Sequence, residues 1–126
     1  MNVSSRVENL SLINQKLEQL REEFKISKIT YEKMLSSVNE AFMNAVDHGN
    51  KGDISKIVTF DHRILAEGKI VLTISDEGNG FNWKHAGGLP KDPEQEGGRG
   101  LFIIEHFSEK YCFNKKGNRI ELHFTL

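Results

Sequence analysis

The stretch "NEAFMNAVDHGN", residues 39–50, sets Glu40, Asn44 and His48 at four-residue intervals and closes on Gly49. At about 100° per residue, Glu40, Asn44, Ser37 and His48 fall within roughly 80° of one another on a helix, with Asp47 at the margin. Met34, Val38, Ala41, Phe42 and Ala45 occupy the neighbouring arc and read as a core-facing stripe. A polar arc beside such a stripe is either a solvated edge carrying a weak i,i+4 pair or one wall of a binding site. The helix alone does not choose between them.

Around this segment the period of the chain changes twice. Residues 5–24 repeat apolar side chains at three- and four-residue steps (Val7, Leu10, Ile13, Leu17, Leu20, Phe24), which predicts a first helix capped by Ser4 or Ser5. The helix containing residues 39–50 is expected to begin after Thr30 and to stop at Gly49. "ISKIVTFDHRIL" (54–65) and "KIVLTISD" (69–76) then read as strands joined by the short turn "AEG". In the first of them Thr59, Asp61 and Arg63 alternate with Val58, Phe60 and Ile64, as a half-exposed strand requires. "LFIIEHF" (101–107) predicts a third helix, and "KYCFNK" with "RIELHFTL" a closing hairpin turned at Gly117-Asn118. Two helices, two strands, a loop, a helix and two strands point to an α+β fold, with helices on one face of a mixed or antiparallel sheet.

Composition narrows the function classes. The 126 residues fit one domain, with 37% hydrophobic and 28% charged residues and a net charge of −1. No basic half suggests nucleic acid, no apolar run is long enough for a membrane, and "MNVSSRVENL" does not read as a signal peptide. The single cysteine, Cys112, suits a reducing, cytoplasmic setting and reads as a core thiol in a strand. His62, His85, His106 and His123 show no metal-ligand spacing.

Two glycine-bearing motifs lie downstream. "SDEGNGF" (75–81) ends a strand at Asp76 and turns through Gly78 and Gly80. That arrangement is either an ordinary Asx-type turn or a carboxylate set to accept a hydrogen bond from an exocyclic amine such as that of adenine, with glycines opening the backbone to a flat ligand. "EGGRGLFIIEHF" (96–107) places Gly98, Arg99, Gly100 and Leu101 at the start of the third helix. It is either a flexible loop or a phosphate site, built from free helix N–H groups and a guanidinium. Neither motif has Walker A spacing or the βαβ setting of a dinucleotide fold. Between them, seven glycines and both prolines from Gly78 to Gly100 predict a loop with a functional role.

Taken together, "NEAFMNAVDHGN", "DEGNGF" and "GGRGLFII" resemble the N box and two glycine boxes of the GHKL ATP-binding superfamily. The resemblance runs from residue 30 to the end and implies the Bergerat two-layer α/β sandwich. Within the superfamily, the E-A-x-x-N-A-x-x-H-G pattern and the "GGRGLFII" ending look most like the bacterial anti-sigma-factor serine/threonine kinases. What the resemblance implies is an ATP-dependent kinase that restrains a sigma factor and phosphorylates a small anti-sigma-factor antagonist. ATP and magnesium would be its cofactors, and a homodimer is compatible with it. Asn44 would bind the magnesium, Glu40 act as general base, and Asp76 hold the adenine amine, with Gly78 and Gly80 giving access to the base. Gly98, Arg99, Gly100 and Leu101 would wrap the β- and γ-phosphates under a lid at about residues 82–99. A nucleotide-sensing module without phosphotransfer, and a slow ATPase, use the same residues. These kinases usually open with a strand, which "MNVSSR" offers little to form, so a shorter sheet or an open edge is expected.

Overall fold

The computed structural model describes residues 1–80 and 96–126, and for residues 96–100 only the backbone. Its sheet consists of β1 (Asn2–Ser4), β2 (Ile57–Leu65), β3 (Lys69–Ser75), β4 (Lys110–Phe113) and β5 (Arg119–Thr125). The spatial order is β1-β2-β3-β5-β4, with every neighbouring pair antiparallel. Helices α1 (Leu10–Phe24), α2 (Lys28–Asn44) and α3 (Glu96–Phe107) complete the α+β architecture. This is the two-layer sandwich that the resemblance implies.

The two faces of the sheet differ because the strands alternate. On β5, Ile120, Leu122 and Phe124 are buried against the helices, while Glu121 and His123 between them point to the opposite, open face. On β2, Val58 and Phe60 are buried, as the alternation predicts, but Ile64 near the strand end is 43% exposed. The central β3 is buried on both faces from Ile70 to Ile74. Ile13, Leu17 and Leu20 of α1 and Met34, Val38, Ala41 and Phe42 of α2 supply the helical half of the core. Burying one such side chain contributes about 1.5–3 kcal/mol, so this shared face stabilises the fold far more than helix propensity does.

Several expectations are corrected. "MNVSSR" does form a strand: Asn2, Val3 and Ser4 pair with Thr59, Val58 and Ile57. The ladder continues where Ser5 N–H donates to the Lys56 carbonyl at 2.9 Å. Ser5 is therefore part of the sheet margin rather than a helix cap, and Ser4 Oγ instead accepts from Asn9 Nδ2 at 2.8 Å. A 3-10 turn at Val7–Asn9 precedes α1, leaving Val7 exposed and outside the apolar stripe. Helix α2 starts two residues before Thr30, because Ser27 Oγ accepts the Thr30 N–H at 3.2 Å and caps it. β2 starts at Ile57, since Asp53 Oδ1 accepts from both the Ser55 backbone and its hydroxyl and closes a turn there. Finally, α3 begins at Glu96, so Gly97–Gly100 form its first turns instead of preceding it. The part of the lid expectation that covers residues 82–95 lies outside the described residues.

Candidate functional site

Helix α2 does not end as a regular helix. Its last turn, Ala45–Gly49, widens into π geometry, with Asn50 N–H donating to the Ala45 carbonyl and Gly52 N–H to Val46. Single π turns inside helices gather at functional sites, because they redirect the side chains around them. Here the widened turn borders a pocket between α2, α3 and the ends of β3 and β5. Asn44, His48, Gly49, Asp76, Gly80 and Leu101 are among its lining residues, over a floor that includes Ala41, Ile74, Ile104 and Ile120. Apolar floor and sparse polar rim suit a flat heterocycle with a polar tail.

Asp76 follows the last residue of β3, and the backbone holds it on both sides. Its N–H donates to the Asn118 carbonyl at 2.9 Å, and its Oδ1 accepts the Gly78 N–H at 2.7 Å. Burial pushes the Asp76 carboxyl above its ordinary value, only partly countered by the Gly78 hydrogen bond and by Lys56 and Lys116. Oδ2 accepts no protein hydrogen bond among the described residues, which leaves it available to an exocyclic amine in the pocket.

The glycines beside Asp76 are there for space. A β-carbon on Gly49 would overlap the Asp76 carboxylate, and one on Gly78 would overlap the Gly49 carbonyl. Gly80 has a φ of +82° and its missing β-carbon would strike the Lys116 carbonyl, so both conformation and contact require glycine there. The sequence predicts only a helix stop at Gly49. In the structure that glycine also seats Asp76.

Asn50 is the residue that sequence reasoning missed. It is fully buried, its Nδ2 donating to the Ile57 carbonyl at 3.1 Å and its Oδ1 accepting the Glu77 N–H at 2.8 Å. Ile57 N–H in turn donates to Glu77 Oε2 at 3.2 Å, closing a circuit that locks the chain after Asp76 to the end of α2. A lone Asn after a glycine looks like any loop residue, so only its burial reveals the role. Asn50→Ala removes the partner of a part-buried carbonyl and of a part-buried N–H. It is expected to cost about 2–4 kcal/mol, taking the lower half of the roughly 1–3 kcal/mol per group because both groups are only part-buried, read by urea unfolding. An unchanged midpoint would mean that water replaces the amide.

The remaining site residues are distributed unevenly. Asn44 lines the pocket, half-buried, and its amide has no hydrogen-bond partner among the described residues. Glu40 lies one turn earlier on α2, half-buried and outside the pocket lining. Ser37 on the same arc is fully buried, so the arc is not a solvated edge along its length. His48 is exposed at the pocket rim. Leu101 is 2% exposed and contributes apolar wall. Gly98, Arg99 and Gly100 lie in the first turns of α3, whose leading N–H groups have no intrahelical acceptor and suit phosphate oxygens. The Arg99 guanidinium lies outside the described residues.

The donor set fits magnesium: an amide oxygen at Asn44 beside a cleft open for phosphates is the sparse oxygen ligation that ion accepts. Comparison with family models matches residues 3–124 to the histidine kinase-like ATPase domain. Comparison with curated proteins returns no match.

Proposed function

From the premise that this chain belongs to the histidine kinase-like ATPase domain family, we propose that it is an ATP-dependent protein serine/threonine kinase and anti-sigma factor of a partner-switching system. ATP binding and a kinase- or ATPase-type role follow from the family. The serine/threonine specificity, the sigma factor and the antagonist rest on the motif resemblance. The observation that carries the reading is the meeting of Asn44 and Asp76 in one pocket, with Glu40 one helical turn from Asn44.

Asp76 Oδ2 accepts the adenine amine, and the pocket that Gly49 and Gly80 help to line admits the ring. The N–H groups opening α3 hold the terminal phosphates. Asn44 offers its side-chain oxygen to magnesium, which neutralises charge on the β- and γ-phosphates when bound. Glu40 accepts the proton of a protein hydroxyl as that oxygen bonds to the γ-phosphorus. The bond from phosphorus to the β–γ bridging oxygen breaks, and ADP leaves. The new phosphate adds negative charge to the antagonist and breaks its contact with the kinase, which frees the kinase to hold the sigma factor. No helix among the described residues is long and apolar enough to cross a membrane, which is compatible with cytoplasmic work.

Incubation with γ-labelled ATP and the candidate antagonists of the same genome tests the proposal. Label on one serine or threonine is the expected result. Binding without label would favour a second reading, a nucleotide-sensing module, which the position of Glu40 outside the pocket lining also suits. Asn44→Ala is expected to remove the magnesium dependence of ATP affinity, seen as superimposable titrations with and without the ion. A dependence that persists would take the metal role from Asn44.

A further inference from the structure

The open face of the sheet carries a second cluster, away from the nucleotide pocket. Cys112 on β4 stands directly opposite Glu121 on β5, and His123 is the next residue of β5 on that face. The sequence predicts Cys112 in the core and shows no ligand spacing for His123. Instead Cys112 is half-buried on the open face, and the hairpin brings together residues nine and eleven positions apart. Cys112 Sγ lies 3.5 Å from Glu121 Oε2, and His123 Nε2 lies 3.7 Å from the same oxygen. All three candidate donor atoms lie within 4.8 Å of one another.

These separations have chemical meaning. Around a tetrahedral zinc ion, with Zn–S near 2.3 Å and Zn–N or Zn–O near 2.0–2.1 Å, neighbouring donors stand about 3.3–3.5 Å apart. The two separations at Glu121 Oε2 are therefore within a few tenths of an ångström of that geometry, and the Sγ–Nε2 pair, within 4.8 Å, has to draw closer when an ion binds. His123 Nε2 is buried and has no hydrogen-bond partner among the described residues, an unusual state for a polar atom beside a thiol and a carboxylate. Arg63 Nη2 lies 3.4 Å from both Glu121 oxygens, and Arg119 Nη2 lies 3.7 Å from Oε1. Both arginine side chains are more than half exposed, so Arg63 can give up its contact with Oε2 and keep Oε1 while Oε2 turns to an ion.

We propose that Cys112, Glu121 and His123 form a three-ligand site for a zinc-class divalent ion on the open face of the sheet. The thiolate and imidazole select a borderline-soft ion over magnesium, so this site and the nucleotide site draw on different metals. With three protein donors the fourth position stays open to water or to a side chain of a bound protein. Binding replaces the thiol proton with a sulfur–metal bond, the proton passing to solvent. The hairpin β4–β5 would then be pinned from the side opposite the pocket that β5 helps to line.

Cobalt(II) titration of the untagged, metal-stripped full chain tests this directly, because Cys112 is the chain's only cysteine and any thiolate-to-cobalt charge-transfer band reports it. One equivalent is expected to produce the band, zinc to bleach it, and Cys112→Ser to abolish it. Glu121→Gln and His123→Ala are expected to weaken cobalt affinity at least tenfold, with circular dichroism melts confirming that each variant folds. Absence of the band with one equivalent at micromolar protein would overturn the proposal. So would a band of undiminished affinity in both the His123 and Glu121 variants, since Cys112 would then bind the ion without them.

Discussion

Glu40→Gln is expected to lower phosphotransfer to a protein hydroxyl by about 10²–10⁴-fold, the usual contribution of a positioned general base, while ATP affinity stays essentially unchanged. The substitution keeps the size and helix propensity of the side chain and removes only its capacity to take a proton. Its place in the structure makes the separation of effects sharp. Glu40 is not among the residues that line the pocket, so binding should not register its loss. It stands a turn before Asn44 on the same helix, where the proposed mechanism brings a hydroxyl to the terminal phosphate. Single-turnover transfer with labelled ATP, set beside a nucleotide titration of the same variant, separates the two quantities. Transfer at the parental rate would leave Glu40 with no catalytic role and shift the weight to phosphate positioning alone.

That prediction is available from residues 39–50, and the reason is instructive. Helical periodicity fixes angular relations, so Glu40 and Asn44 have to share an edge once the segment is helical. The three longer strands and both amphipathic helices are legible in the same way, because each repeats its period often enough to be recognised. What escapes the sequence is short or long-range. β1 has three residues, too few to display alternation, and is a strand only because residues 57–59 stand ready to pair with it. The π widening at Ala45–Gly49 has no composition signal. Asn50 reads as loop, and its importance arises from Ile57 and Glu77, 7 and 27 positions away. Gly80 is obligatory because of Lys116, which only the closing hairpin brings near. The Cys112–Glu121–His123 cluster is likewise invisible until β4 and β5 are in register. Motif residues can be read locally, whereas the residues that hold them in place belong to the tertiary structure.

Asp76→Asn is expected to weaken ATP binding by roughly 10–100-fold or more, the equivalent of a charge-assisted hydrogen bond of about 1.5–3 kcal/mol, and at the same time to stabilise the nucleotide-free protein. The two effects have one cause. With Oδ1 committed to the Gly78 N–H, an asparagine that keeps this bond must turn its NH₂ group toward the pocket. Two donors would then face each other where a carboxylate oxygen is proposed to accept the adenine amine. Without nucleotide, the ionised carboxylate is a burden, since burial raises its pKa in the fold above the ordinary 3.8. The folded state therefore binds more protons than the unfolded chain between those two values, and stability falls as pH rises through that window. Above it the whole penalty is present; below the ordinary carboxylate range it is absent. The substituted amide has no proton to lose, so the variant should unfold at a higher temperature than the parent near neutral pH. The gap should close as pH falls toward the ordinary value of 3.8. Thermal melts of both proteins across that range, paired with ATP titrations at neutral pH, check the opposed signs. Equal ATP affinity would remove Asp76 from adenine recognition, and a melting gap that ignores pH would show that its carboxylate carries no burial penalty.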